Sequence, residues 1–150
     1  MNIADQQSQE SDVRQLLTDF VEAFRNLDWA AFRSCWVDDP VVFYPSLVPD
    51  ETGRRVDALP GFEKAWHRQF ERIRKAAAER GQLRSPYHDI QPDDVRVDFV
   101  APTVAVVTFH IGPDSGVLGR RMLVAVSTPN GWKISHLHAS NLSLPNPTTA

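Results

Sequence analysis

The sequence predicts an α+β domain, a cone-shaped curved antiparallel sheet wrapped on three N-terminal helices. Three observations predict it. Apolar residues recur at helical spacing at Val13, Leu16, Leu17, Phe20, Val21 and Phe24, and again at Phe62, Trp66, Phe70 and Ile73. The second half of the chain carries short β-rich runs separated by Pro, Gly, Asn and Asp clusters. Helical and strand segments are segregated along the chain, which places the helices over one face of one sheet and leaves room for a pocket between them.

Taken in order, the polar stretch 1–10 reads as a frayed tail. Ser11 or Asp12 can cap the first helix, and Asn26-Leu27-Asp28 ends it. Asp28 can cap a short second helix through Trp29, Phe32, Cys35 and Trp36, with Asp38-Asp39-Pro40 as its stop. Val41-Val42-Phe43-Tyr44 is a short strand halted by Pro45. The Pro-, Asp- and Gly-rich loop 46–60 is long enough to form a rim or lid. A third helix starts near Pro60-Gly61 and ends at Gly81. Its basic face (Arg68, Arg72, Lys75, Arg80) is interrupted by Glu71 and Glu79, which favours a solvated face over a phosphate site. Strands follow at Tyr87–Ile90, Val95–Val100, Thr103–Ile111, Arg120–Ser127 and Trp132–Leu142. Residues 11–144 form one domain, and 145–150 an irregular tail.

Composition excludes several classes of function. A net charge of −3 over 150 residues is too small to suggest a nucleic-acid partner. No run approaches the ~20 apolar residues of a membrane span. One cysteine, Cys35, permits no internal disulfide, and with no secretory leader at the N-terminus the expectation is a cytoplasmic protein. There is no Walker loop, dinucleotide glycine fingerprint or zinc-type cysteine pair, so no cofactor is expected.

The last hairpin organises the fold. Asn130-Gly131, read as a two-residue turn, opposes Val124 to Leu137 and Met122 to Ala139. One face then carries Met122, Val124, Val126, Leu137 and Ala139. The other carries Arg121, Leu123, Ala125, Ile134, His136 and His138. Two histidines two residues apart suit a divalent metal given a third ligand, for which His110, His67, Asp98 and Asp114 are the candidates. Nothing in the sequence brings one there, and no metal is expected.

Three segments resemble the nuclear transport factor 2-like superfamily, which includes SnoaL-like polyketide cyclases, ketosteroid isomerases and the association domain of calcium/calmodulin-dependent protein kinase. They are the first helix running into Asn26-Leu27-Asp28-Trp29, the segment Cys35-Trp36-Val37-Asp38-Asp39-Pro40-Val41-Val42-Phe43-Tyr44-Pro45, and the closing strand from Gly131 to Ser140. The resemblance covers about residues 12–143 and is closest to SnoaL-like and kinase-association domains. It implies that positions such as Leu137 and Ala139 line a pocket, which turns the histidine face outward. The positions that resemble the ketosteroid isomerase machinery hold Tyr44 for its base and Phe20 for its oxyanion tyrosine, and 122–126 contains no acid. That chemistry is therefore not expected.

The expectation is a SnoaL-like protein binding a small organic molecule in an apolar pocket, with cofactor-free acid–base chemistry of cyclase, isomerase or dehydratase type as its enzymatic form. The alternative is a non-catalytic oligomerisation or ligand-sensing domain. The catalytic candidates are Tyr44 and His110, and the ligand-binding candidates are Phe20, Trp36, Trp66, Phe70, Arg120, Val124, Leu137 and Asn141. Arg121, Leu123, Ile134, His136 and His138 are expected on an outer sheet face too apolar to stay wet, and hence in a homodimer seam.

Overall fold

A computed structural model describes residues 2–45, 54–56, 59–112 and 116–145. Helix α1 spans Ile3–Arg25 and α2 Trp29–Ser34. Strand β1 is Trp36–Phe43, followed by α3 at Gly61–Glu79. Strands β2 (Pro92–Ala101), β3 (Val104–Ile111), β4 (Val117–Thr128) and β5 (Gly131–Ser143) complete the chain. The five strands form one curved sheet in the order β1-β5-β4-β3-β2. β2 to β5 are antiparallel, whereas β1 joins β5 in parallel, so the sheet is mixed and not wholly antiparallel.

Local chemistry sets the helix ends. The Asn2 side chain accepts from the Asp5 backbone N–H at 2.8 Å and starts α1 at Ile3, so the stretch expected as a frayed tail is helical. The indole Nε1 of Trp132 donates to Gln9 Oε1 at 2.7 Å and ties this first part of α1 to the sheet. Asp28 accepts from Ala31 N at 3.1 Å and caps α2. α3 ends in a Schellman motif, with Gln82 N bonded to Ala77 O, Gly81 N to Ala78 O, and Gly81 at φ +81°.

Two strand assignments change. Trp36 opens β1 instead of closing the second helix, and Asp38 and Asp39 lie exposed where the β1–β5 register slips between Trp36 and Val41. No strand forms at 87–90; the turn expected at Gln91–Asp94 is instead the beginning of β2, whose pairing is interrupted beside Asp94 at φ +52°.

The β4–β5 hairpin decides which side chains face inward. Its turn is Pro129-Asn130, closed by the Thr128–Gly131 pair, because proline fixes a negative φ and Gly131 supplies the positive one at +101°. Ala125 then opposes Ile134, but Val124 opposes His136, and Ser135 is left as a bulged extra residue. On the tip side of the bulge Trp132 and Ile134 point into the core; beyond it Leu137 and Ala139 do. The bulge turns His136 and His138 outward and makes Leu123 the partner of Leu137.

The core lies between the inner sheet face and the helices. Phe32 sits at its centre, with ring centroids 4.7 Å from Trp66, 5.1 Å from Phe70 and 5.4 Å from Phe20. Burying such rings contributes roughly 1.5–3 kcal/mol each from removal of apolar surface.

Candidate functional site

The aromatic core does not fill the whole space under the sheet. A cavity of about 110 Å³ remains between the inner sheet face, α1 and α3. α1 contributes Phe20, Val21 and Phe24 at one-turn spacing. Tyr44 enters from just beyond β1, and Trp66 and Gln69 come from α3. The sheet supplies Phe109, Arg121, Leu137 and Ala139, which are adjacent through the Phe109–Arg121 and Arg121–Ala139 pairs.

Besides Gln69, three residues with polar groups line an otherwise apolar enclosure. The Tyr44 hydroxyl is buried without a hydrogen-bond partner, and so is Trp66 Nε1. The two rings meet edge-on with centroids 4.8 Å apart. Burial pushes the Tyr44 phenol far above its ordinary range, so it is a neutral donor at any physiological pH. The third group is the Arg121 guanidinium. Its Nη1 donates to Arg120 O and Ser140 O, both at 3.0 Å, and to Asn141 Oδ1 at 3.3 Å. Burial alone pulls its pKa down to about 10, which leaves it charged at neutral pH. Gly119, two residues earlier on the same face, makes room for it: a Cβ there would lie 3.3 Å from Arg121 Nη1.

Of the expected ligand-binding residues, the structure brings Phe20, Trp66 and Leu137 to the cavity, together with Tyr44. Trp36 and Phe70 are buried in the aromatic cluster behind it. Asn141 is exposed and reaches the site only through Arg121. Val124 and Arg120 lie on the outer face, where Arg120 Nε donates to Ser140 Oγ at 3.2 Å. His110 is also on the outer face, 3.5 Å from Asp94 Oδ2, and not at the cavity mouth; alternation along β3 turns Phe109 and Ile111 inward and His110 away.

Three residues expected in a seam lie inside instead. Leu123 and Ile134 are fully buried in the monomer core and Arg121 lines the cavity, because the Ser135 bulge separates them from the histidines. His136 and His138 occupy the outer face, with His136 Nδ1 2.9 Å from Ser135 Oγ and the His138 ring 5.4 Å from Phe43. Asp114, one of the third-ligand candidates, lies outside the described residues; among those described, no three metal-ligating side chains gather.

Reasoning from sequence missed Arg121 and Gln69 as cavity residues. A signal for Arg121 was present: Trp132 and Ile134 on one parity and Leu137 and Ala139 on the other are all apolar. They can be buried together only if the alternation slips once between them.

A wider groove of about 670 Å³ runs along α1 and the hairpin tip, with Asp12, Asp19, Glu22 and Asp28 among its walls. It is open, and none of the buried unpaired polar atoms belongs to its lining residues. Cys35 borders it as a buried thiol, with a pKa pushed by desolvation up to about 11, and is therefore a poor nucleophile.

A family model described as a SnoaL-like domain matches residues 13–145. Solved structures of similar shape include a candidate dehydratase of the nuclear transport factor 2-like family from Streptomyces avermitilis. It is 20% identical, with 91% of this chain and 97% of that one covered and a TM-score of 0.70. The hexachlorocyclohexane dehydrochlorinase LinA-type3 from Novosphingobium barchaimii is 12% identical over 93% of this chain and 90% of its own, with a TM-score of 0.67. A candidate ketosteroid isomerase from Shewanella frigidimarina is 18% identical over 88% and 97%, with a TM-score of 0.58. At these identities the likeness is one of fold. No curated protein matches the chain in sequence. Among the described residues no helix is long and apolar enough to cross a membrane.

Proposed function

The chain belongs to the SnoaL-like domain family, and from that premise we propose that it binds a small organic molecule in the cavity beneath its sheet. The observation that carries this reading is the pair of buried, unpaired donors, Tyr44 Oη and Trp66 Nε1, on cavity-lining residues. An unpaired buried polar group costs about 1–3 kcal/mol. A bound molecule that carries acceptors would satisfy both. Among the described lining residues there is no carboxylate and no imidazole to abstract a proton. The lining therefore supports binding, with Tyr44 as hydrogen-bond donor, over the cyclase, isomerase or dehydratase chemistry known from relatives of this fold. Native mass spectrometry of protein purified gently from its host tests the reading. A retained small molecule that dissociates on activation is the expected result. A ligand-free protein that also shows no saturation-transfer signal with ring-sized aromatic fragments overturns it.

A second observation favours self-association. The outer sheet face presents Phe43 and Met122, 41% and 49% exposed, beside half-buried Val106 and Val124 and the two histidines. We propose that this face pairs with that of a second copy. The seam would hold Met122, Val124, His136 and His138, without the buried Leu123 and Ile134. Sedimentation equilibrium should give a dimer that Val124→Asp converts to a folded monomer; a wild-type monomer at micromolar concentration would refute it.

A further inference from the structure

Resting on the reading of the cavity as a ligand site, we infer that its ligand is a small monocarboxylate whose anionic end is held by Arg121 and whose apolar body fills the space beside Phe20, Trp66 and Leu137. Arg121 lacks a counter-charge among the described residues. Its guanidinium is desolvated, yet no Asp or Glu pairs with it among the described residues; burial is the only influence on its pKa. Its hydrogen bonds all leave from Nη1 and all go to neutral oxygens, two backbone carbonyls and the Asn141 amide. Nε and Nη2 donate to nothing among the described residues. Those two donors form the edge of the guanidinium that forks onto a carboxylate with two parallel bonds.

Placing a charge in an apolar enclosure is costly unless it is paired. In this chain the cost is built into the sheet itself. Unbroken alternation along β4 puts Arg121 on the inward face with Leu123 and Ala125, and Gly119 keeps the space that the guanidinium occupies. Nη1 is anchored by three acceptors, so the side chain is fixed before any ligand arrives.

The rest of the lining narrows the class. No acidic side chain among the described lining residues repels an anion, and Arg121 is the only basic one. One positive charge matches one negative charge, which favours a monocarboxylate over a phosphate monoester or a dicarboxylate. The volume, about 110 Å³, is on the scale of a single six-membered ring or a short acyl chain. The Tyr44 hydroxyl and Trp66 N–H are then available as neutral donors to oxygens on that molecule.

The test uses matched probes, benzoate against benzamide, on the full chain by isothermal titration calorimetry. Benzoate should bind about tenfold or more tightly than the amide, since hydrogen bonds to a charged group are worth roughly twice neutral ones. Arg121→Met should abolish that preference, weakening benzoate far more than benzamide; Arg121→Lys, which keeps the charge but loses the fork, should retain part of it. Thermal unfolding without ligand verifies that each variant folds, and the Lys variant decides the matter if the Met variant does not. Equal binding of benzoate and benzamide, or a preference that survives in Arg121→Met, overturns the carboxylate inference and leaves the cavity reading intact. Failure of both probes in wild-type protein, with no retained molecule in the native spectrum, removes both.

Discussion

Replacing Tyr44 by phenylalanine removes one oxygen atom, and the sign of its effect on stability tests the site. Tyr44 is 7% exposed and its hydroxyl has no partner. A tyrosine hydroxyl that is hydrogen-bonded contributes about 0.5–1.5 kcal/mol, and its loss destabilises by that amount. An unpaired buried hydroxyl carries instead a desolvation cost of about 1–3 kcal/mol. The ring's packing against Trp66 is untouched by the substitution, so this cost is what Tyr44→Phe relieves. The ligand-free variant should be more stable than wild type by about 1 kcal/mol or more, a rise of roughly 2–4 °C in Tm for each kcal/mol in a chain of this size. Urea unfolding at pH 7 measures it, where the phenol is neutral in both folded and unfolded chains. The alkaline limb offers a second reading. Burial raises the folded-state pKa of Tyr44, so the unfolded chain loses the phenolic proton first. Wild-type stability therefore falls as pH climbs above about 10, and Tyr44→Phe removes that part of the slope. A variant less stable than wild type by 0.5 kcal/mol or more at pH 7 would refute the reasoning, because the hydroxyl would then have a partner in the empty protein.

Three further outcomes follow from named contacts. Gly119→Ala places a Cβ 3.0 Å from Ile111 Cβ and 3.3 Å from Arg121 Nη1; it should destabilise by about 1–3 kcal/mol in chemical denaturation and weaken benzoate binding more than benzamide binding. Trp132→Phe removes the 2.7 Å bond to Gln9 at a cost of about 0.5–1.5 kcal/mol, with hydrogen exchange accelerated most over the first turns of α1. His88 has its pKa lowered, chiefly by burial and against the opposing bond to the Phe24 carbonyl, so the folded chain binds its proton less readily than the unfolded chain. Stability should be full above pH ~6.5 and decline as pH falls from there through the lower folded pKa; His88→Asn should flatten that limb in a pH series of urea midpoints.

Much of this fold is written in short stretches. The stripe from Val13 to Val21, the caps at Asp28 and Gly81, and the aromatic steps Phe62, Trp66 and Phe70 each act within one or two helical turns. Their identity as helices and their buried faces were therefore legible without coordinates. Strand positions after residue 92 were legible for the same reason, since alternation is a property of neighbours. Of the residues that line the cavity, Phe20 and Trp66 could be placed on the apolar faces of their helices by spacing, and Leu137 and Ala139 by resemblance to the family.

The tertiary structure decided what depends on pairing between distant segments. Parallel addition of β1 beside β5 has no local signature, and it carries Tyr44 to the cavity. The Ser135 bulge is a single unpaired residue, yet in a period-two structure one residue exchanges the two faces. It left His136 and His138 on the surface while Ile134 before it and Leu137 and Ala139 after it all face the core, opposite the β4 face that carries Arg121, Leu123 and Ala125. The sequence alone determined most of the elements and the apolar character of the interior. Which side chains meet at the cavity was decided by register, a relation between strands that no single stretch of the chain contains.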